Sequence, residues 1–595
     1  MHDERKDYCA RQQAVCYRFR HSDDPVAATE GVLVSELFQR HRARLDKAID
    51  ACEKRYSWTA FTESPSSKVH GKDIPAAARV AFDALLGKPF DIDIPGTIGS
   101  VGEEVSPFTE LSLGITYPLV DIDKLFESAK TAQASWSLQP TEERVGLCLE
   151  ILDRLARPES LFLNAHATVH TAGQSFIMAF AGCGANALDR GLEALAYAYR
   201  AMKDVPETAQ WERRFGTTAE TRLEKRYRIV PRGTSVVITC ATFPQWNGYP
   251  AILASLSTGN PVIVKPHPKT TLPVALFVRT MREVLAEHGH DPNLVTMAAD
   301  TRDHPITIEL LHHPDTAIID FTGGPQFGLW IEQHCPDALV YTETAGCNSV
   351  VIESTDNFSG MCDAIAHSLC QASAQMCTSV QNIFVPKGGI ETDIGHLSLD
   401  EVCDGLVASV DKLIAEPKKA AFLCGTLVDE NIYKTIQDMT VAEAGQILRE
   451  STPYAHPDFE NARTATPLML KVNAADKGLY GKEHFGPISF VIASDDADHA
   501  LQRATEDVRD HGAITSHVYS TDEQFLARAE HAYHMAGASL ACNLIGMPIN
   551  FAAAYSDFHV TGLNPAGNAC LSDLAFVTSR FRIVQTKFPA VSKTG

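Results

Sequence analysis

From Arg226 to about His334 the chain alternates short apolar runs with helical stretches, and this alternation restricts the folds open to it. Residues 227–230 and 235–239 read as strands flanking Pro231 and Gly233. Residues 262–265 form another β-type run behind Gly259, Asn260 and Pro261. Residues 273–288 have helical spacing, and 294–297 and 317–321 are β-type again. Strands alternating with helices build a parallel α/β sheet, since each crossover helix covers one face. Thr322, Gly323, Gly324 and Gly328 then open the next helix. A glycine-rich strand-to-helix turn lets a helix N-terminus face a phosphate. The pattern is not GxGxxG and says little by itself.

The preceding residues are mainly helical. Val32, Leu33, Leu37 and Leu45 fall near helical spacing, and 76–86 is Ala-rich. Pro, Gly and Asp residues in 88–99 mark a boundary. A strand is expected over 111–117 and helices over 123–136 and from Thr141, where Glu142 and Glu143 suit a first turn. His166 and His170 stand four apart on a helix, without a third ligand nearby, so no metal site is expected.

A chain of 595 residues exceeds one hydrophobic core, so two or three domains are expected. The net charge of −22 disfavours nucleic acid and anionic membranes as partners. The fifteen cysteines show no metal-ligand cadence, and residues 1–20 carry no apolar signal-peptide core. These features point to reduced thiols in a cytoplasm.

One cysteine stands out. Cys377 lies among small and polar residues, Cys370-Gln-Ala-Ser-Ala-Gln-Met-Cys-Thr-Ser379, just before the β-type run Ile383-Phe384-Val385 that ends at Pro386. Cysteine is most often a buried apolar filler. A thiol with small neighbours beside a strand is also open to nucleophilic use.

Several stretches fall into one order: Ala241-Thr-Phe-Pro-Gln-Trp246, Lys265-Pro266, Phe321-Thr-Gly-Gly324, Glu343-Thr-Ala-Gly346, Gln375-Met-Cys377 and Glu483-His-Phe-Gly-Pro487. Glu343 and Cys377 stand 34 residues apart. From about residue 105 to the C-terminus this resembles the aldehyde dehydrogenase superfamily. Within it, His170 to Gln174, Arg190 to Ala194, Thr239 to Pro250 and Lys265 to Pro268 look like the PaaN-type phenylacetic acid degradation proteins.

The resemblance implies an α/β fold with four parts. These are a helical N-terminal extension (1–100), a Rossmann-type NAD(P)-binding domain (101–342), a catalytic domain (343–552) and an oligomerisation tail (553–595). Oligomerisation strands near 217–231 would join the tail, which reads as β over 576–586 and pairs with a neighbour's sheet. Asn543, Gly546, Pro548 and Gly562 to Gly567 look like the family's C-terminal pattern.

By resemblance Cys377 is the nucleophile and Glu343 the general base. Lys265 would bond the adenosine ribose, Glu483 and Phe485 would hold the nicotinamide ribose, and Gly323, Gly324 and Gly328 would lie near the pyrophosphate, with Phe243 and Pro244 beside the cofactor. Thr242 stands where the family usually has Asn. The second oxyanion donor is therefore Thr242 or Asn247, and Asn247 also suits the cap of a helix beginning near Tyr249. Pro268 replaces a carboxylate or Ser, and Lys265, His267 and Lys269 crowd the same loop, which favours NADP, with NAD possible. The expected partners are a small-molecule aldehyde, a ring-opened CoA-linked semialdehyde of phenylacetate breakdown, and further copies of the chain in a homodimer or homotetramer. A Cys/Glu hydrolase or thioesterase on the same fold, and a non-catalytic metabolite-binding subunit, are the competing readings.

Overall fold

Apolar β-branched runs separated by helices fold into a five-stranded, all-parallel sheet. Its order is Val295–Met297, Val262–Lys265, Thr234–Ile238, Thr316–Gly323 and Leu339–Thr344. The first strand in sequence lies at the centre, and successive strands add outward on one side, then the other. This reversal opens a crevice at the carboxyl ends of Thr234–Ile238 and Thr316–Gly323, where doubly wound sheets bind ligands. The molecule is described by a computed structural model that covers residues 35–216, 220–344, 346–441, 445–559 and 574–590.

A seven-stranded sheet follows, in the order Gln446–Arg449, Leu468–Asn473, Ile488–Ser494, Asn382–Pro386, Ser349–Ile352, Thr515–Tyr519 and Ser539–Cys542. It is parallel except for its first pair. The two sheets divide between Thr344 and Ser349, so Glu343 lies on the last strand of the first sheet.

The part of the N-terminal extension that is described is built into the body. The helices Glu36–Lys54, Ser67–His70 and Asp73–Asp83 carry it, and residues 1–34 lie outside the described residues. Gly146 on the helix Thr141–Leu155 permits this docking: a Cβ there would meet the Phe38 backbone nitrogen at 2.6 Å. Across the same contact His41 Nε2 lies 2.8 Å from Glu150 and Arg44 donates to Asp153 at 2.9 Å. His166 and His170 are packed ring groups, His170 stacking on Phe82 and bonding Ser106 Oγ at 2.9 Å. Burial pushes both imidazoles down to about 4.

Two expectations change. The strand expected over 111–117 begins at Tyr117 and runs to Val120, because Gly114 adopts φ +63° and Ser112 Oγ accepts its N–H, breaking the extended run. The tail expected to be β over 576–586 starts as a helix, Leu574–Thr578, before the strand Phe581–Pro589. Arg580 folds back to donate to the Phe576 carbonyl at 2.9 Å and turns the chain there. The tail strand pairs within its own chain, antiparallel to Glu220–Pro231, which pairs in turn with Thr208–Arg214. The outer strands of this three-stranded sheet are free to pair further, among the described residues, and Ile583, Val584 and Phe588 are exposed on it. Gly562 to Gly567 lie outside the described residues. No helix among the described residues is long and apolar enough to cross a membrane.

Arg580 also anchors the tail electrostatically. Its guanidinium forks onto both Asp320 oxygens at 2.8 and 2.6 Å and onto Ser255 Oγ at 2.7 Å, fully buried against the middle of the first sheet. Removing one partner of a buried ion pair strands the other charge and costs about 3–5 kcal/mol. Arg580→Ala should lower stability by about that amount in denaturant unfolding, and Arg580→Met with Asp320→Leu by less. An unfolding midpoint unchanged in Arg580→Ala would refute the anchor.

Candidate active site

The segment before Cys377 is backbone-strained. Ala372, Ser373 and Ala374 take φ of +52°, +51° and +52°. Left-handed backbone costs an L-residue about 1–2 kcal/mol, and such strain persists only where neighbours enforce it. The enforcement is local and polar. Gln375 Nε2 donates to the carbonyls of Ala372 at 3.0 Å and Thr426 at 2.8 Å, while its Oε1 accepts the Val428 N–H at 2.9 Å. Ser373 Oγ donates to the Cys424 carbonyl at 3.1 Å.

Beyond the strained turn, Asn348 grips the loop. Its amide nitrogen donates to the carbonyls of Cys377 at 2.8 Å and Ser379 at 2.9 Å. Its amide oxygen accepts the N–H groups of Ile514 at 2.9 Å and Thr515 at 3.0 Å.

Three chemically active side chains meet here. Cys377 Sγ lies 3.8 Å from His559 Nε2, and that nitrogen lies 2.9 Å from Glu343 Oε1. Asn247 Nδ2 donates to Glu343 Oε2. The Cys377 sulfur, a Glu343 oxygen and a His559 ring nitrogen all lie within 4.8 Å of one another. Burial pushes the Cys377 thiol well above its ordinary range, and the Glu343 carboxylate beside it adds to the shift.

Asn247 is not a helix cap. The helix starts at Pro244 and runs to Ser257, which places Asn247 in its first turn facing Glu343. Pro244, with its fixed φ and missing N–H, suits that first position. Thr242 is buried, and its carbonyl accepts from Gln174 Nε2 at 3.2 Å.

Cys377 lines two cavities. The first, about 620 Å³, is walled by Lys265, His267, Pro268, Asp300, Phe321, Gly323, Gly324, Glu343, Glu483 and Phe485, as well as Thr242, Phe243 and Asn247. The expected cofactor residues therefore converge, except that Pro244 and Gly328 stand behind the wall. Gly328 sits against Thr344, where a Cβ would meet Cγ2 at 2.4 Å. Gly324 caps the helix Pro325–His334, whose N-terminus opens beside the cavity.

The fit to a dinucleotide rests on polar groups buried in this wall. The Thr239 and Thr322 hydroxyls have no protein partner, and Gly324 leaves space where a side chain would fill it. Burial raises the Glu483 carboxyl to about 8. Gln381 holds its turn, donating to the Tyr480 and Lys482 carbonyls at 3.2 and 3.0 Å and accepting the His484 N–H at 2.6 Å. Lys265 Nζ donates to Asp300 at 2.5 Å and to the Pro266 carbonyl at 2.9 Å.

The second cavity, about 260 Å³, lies on the other side of the thiol. Met178, Phe243, Trp246, Met376, Phe422 and Phe551 make it largely apolar. His559 lines this cavity and Glu343 the first. Sequence reading missed His559 and Asp300. Each lies in a loop, and His559 is 182 positions from Cys377, so no local pattern marks either.

Residues 105–543 match the aldehyde dehydrogenase family model. The crystal structure of an NAD-dependent aldehyde dehydrogenase from Burkholderia multivorans is 42% identical with a TM-score of 0.89, covering 93% of this chain and 99% of that one. 1-Pyrroline-5-carboxylate dehydrogenase 2 of Bacillus subtilis is 24% identical over 508 residues, 82% of this chain and 88% of that protein. An aldehyde dehydrogenase-like protein of Saccharomyces cerevisiae is 22% identical over 403 residues, 64% of this chain; the chain spans 60% of that protein's length. With its ordered motifs gathered around one thiol, the chain belongs to the aldehyde dehydrogenase family.

Proposed function

We propose that this chain oxidises an aldehyde to the acid through a thiohemiacetal and a thioester on Cys377, with a nicotinamide dinucleotide as oxidant. The observation that carries this reading is one thiol shared by two cavities, the larger, about 620 Å³, carrying Lys265, Asp300, Glu343 and Glu483 in its wall, the smaller, about 260 Å³, walled mainly by apolar side chains. A hydrolase needs only the second. The Cys377 thiolate attacks the aldehyde carbon, the C–S bond forms and the carbonyl electron pair moves to oxygen. When bound, the nicotinamide accepts the hydride. Glu343, on the cofactor side, takes a proton from the water that then attacks the thioester, and the sulfur leaves as thiolate. Thr242 or Asn247 joins the Cys377 N–H in steadying the oxyanion. The Asn247 amide already donates to Glu343, which favours Thr242.

The apolar cavity suits an aldehyde with an apolar body. A CoA-linked semialdehyde of phenylacetate breakdown rests on the PaaN-type sequence resemblance alone. A panel of free and CoA-linked aldehydes, followed by nicotinamide absorbance, ranks them. The free strands of the three-stranded sheet support a homodimer or homotetramer. The cytoplasm remains the compartment expected from the reduced cysteines.

The engagement of the loop's donors supports NAD over the expected NADP as the preferred nucleotide. The donors that suggested a phosphate are engaged elsewhere. Lys265 is held by Asp300, and Lys269 faces Asp429 at 3.4 Å. His267 is kept neutral because burial pushes it down to about 3. Asp300 presents a carboxylate where Lys265 would meet the ribose. A carboxylate accepts from a ribose 2′-hydroxyl and repels a 2′-phosphate.

Cys377→Ala should keep cofactor affinity and lose turnover entirely, and Glu343→Gln should acylate yet deacylate on the order of 10²-fold slower. Substantial dehydrogenase turnover in Cys377→Ala would sink the reading. Steady-state kinetics should favour NAD over NADP by roughly tenfold or more in catalytic efficiency, equivalent to about 1.4 kcal/mol. Asp300→Ser should shrink that ratio, and a parent enzyme that prefers NADP would disprove the assignment.

A further inference from the structure

We infer that His559 is a catalytic residue: its imidazole takes the Cys377 proton and holds the nucleophile as a thiolate–imidazolium pair beside Glu343. The inference rests on Cys377 being the nucleophile proposed above. Three observations support it.

The first is contact geometry. Nε2 lies 3.8 Å from the sulfur and 2.9 Å from a Glu343 oxygen, so one N–H on that nitrogen faces two acceptors. The imidazolium formed by proton transfer would hold this arrangement. Before it, the Nδ1–H tautomer offers a bare Nε2 to the thiol. The S–H bond breaks, its electron pair stays on sulfur, the proton moves to Nε2, and the imidazolium donates toward Glu343.

The second is need. Burial and the Glu343 anion both oppose ionisation of Cys377. A cation formed in place relieves both effects, since an opposite charge within ~4–6 Å favours the thiolate.

The third is the scaffolding of the segment that carries His559. Residues 551–559 are clamped from two sides. Arg190, paired with Glu193 at 2.8 Å, donates to the carbonyls of Ala552 and Asp557, each at 3.2 Å. Arg55 of the N-terminal extension donates to the Tyr555 carbonyl at 3.0 Å, with its guanidinium 3.7 Å from the centre of the Phe558 ring. Tyr555 donates to Asp189 at 2.8 Å, and Asp189 also accepts the Ala60 N–H at 2.8 Å. The Arg190 to Ala194 motif and the extension thus converge on the loop that delivers His559. Trp246 stands beside the imidazole, centroids 6.3 Å apart.

Among the described residues, these charged and titratable groups stand around the pair. Glu343 faces it from the first sheet, and Arg190 and Glu193 stand behind its own segment. Arg55 covers Phe558, and His367 lines the same cavity. Cys240 and Glu483 act on the Cys377 sulfur from the cofactor side.

The test reads the thiol directly, without substrate or cofactor. The full-length enzyme is treated with iodoacetamide across pH 5 to 10, and alkylation of Cys377 is followed by mass spectrometry. The parent should alkylate in two steps, the lower one marking the ion pair. His559→Gln keeps an amide donor toward Glu343 but cannot take a proton. It should lose the lower step and slow by about tenfold to a hundredfold at neutral pH, with the upper step retained. A parent profile with a single step at ordinary thiol pH overturns the inference whether or not the variant folds. So does a His559→Gln profile matching the parent, or a lower step lost only in Glu343→Gln. Failure of the dehydrogenase reading would show separately, as turnover surviving in Cys377→Ala.

Discussion

The site depends on how the Asn348 side chain is shared. One amide fixes two carbonyls of the Cys377 loop and two N–H groups at the start of the Thr515–Tyr519 strand. Every donor and acceptor of that side chain is matched, which a buried amide requires. Asn348 lies five residues after Glu343, on the connector between the two sheets. The distance between Glu343 and Cys377 is therefore set by a short covalent path and the two hydrogen bonds to the Cys377 loop. Gly346 tightens the connector further, because a Cβ there would meet the Gly512 carbonyl oxygen at 2.1 Å. Ala345, the residue before it, lies outside the described residues.

Much of this was legible in the chain. The alternation after Arg226 marks the parallel sheet because each buried strand must be a short apolar run and each crossover a helix. Lys265, Gly323, Glu343, Cys377 and Glu483 come together at one cavity, as their order in the chain implies. What stayed hidden is tertiary. Asn247 reads as a cap from local preference, yet its amide is drawn to Glu343, 96 residues away. His559 and Asp300 carry no periodicity and no neighbouring motif, and their meaning appears only when a distant Cys or Lys lies beside them. The strand expected at 111–117 failed at one left-handed glycine, and the helix at 574–578 is closed by a buried arginine whose partner lies 260 positions away.

The N-terminal extension shows how a segment without chemistry can still bear on it. Its long helix docks through a glycine gap, and Arg55, just past that helix, reaches the loop before His559. Its sequence pattern announces only amphipathic helices. The helix Ala187–Lys203 has the same double character: Gly191 packs against Leu253, while Arg190 and Asp189 hold the loop from below.

The two cavities meet at one sulfur, and under the proposed reaction this arrangement would govern traffic through the enzyme. Phe243 and Cys377 belong to both walls, so the thiol is a partition between rooms. An acyl group attached to that partition stoppers the apolar room by its own bulk. The larger room stays open behind it. Used cofactor can leave, and water can arrive, while the half-finished product remains tethered out of reach. Retention of a reactive thioester is then a matter of floor plan, and no moving lid is needed to secure it.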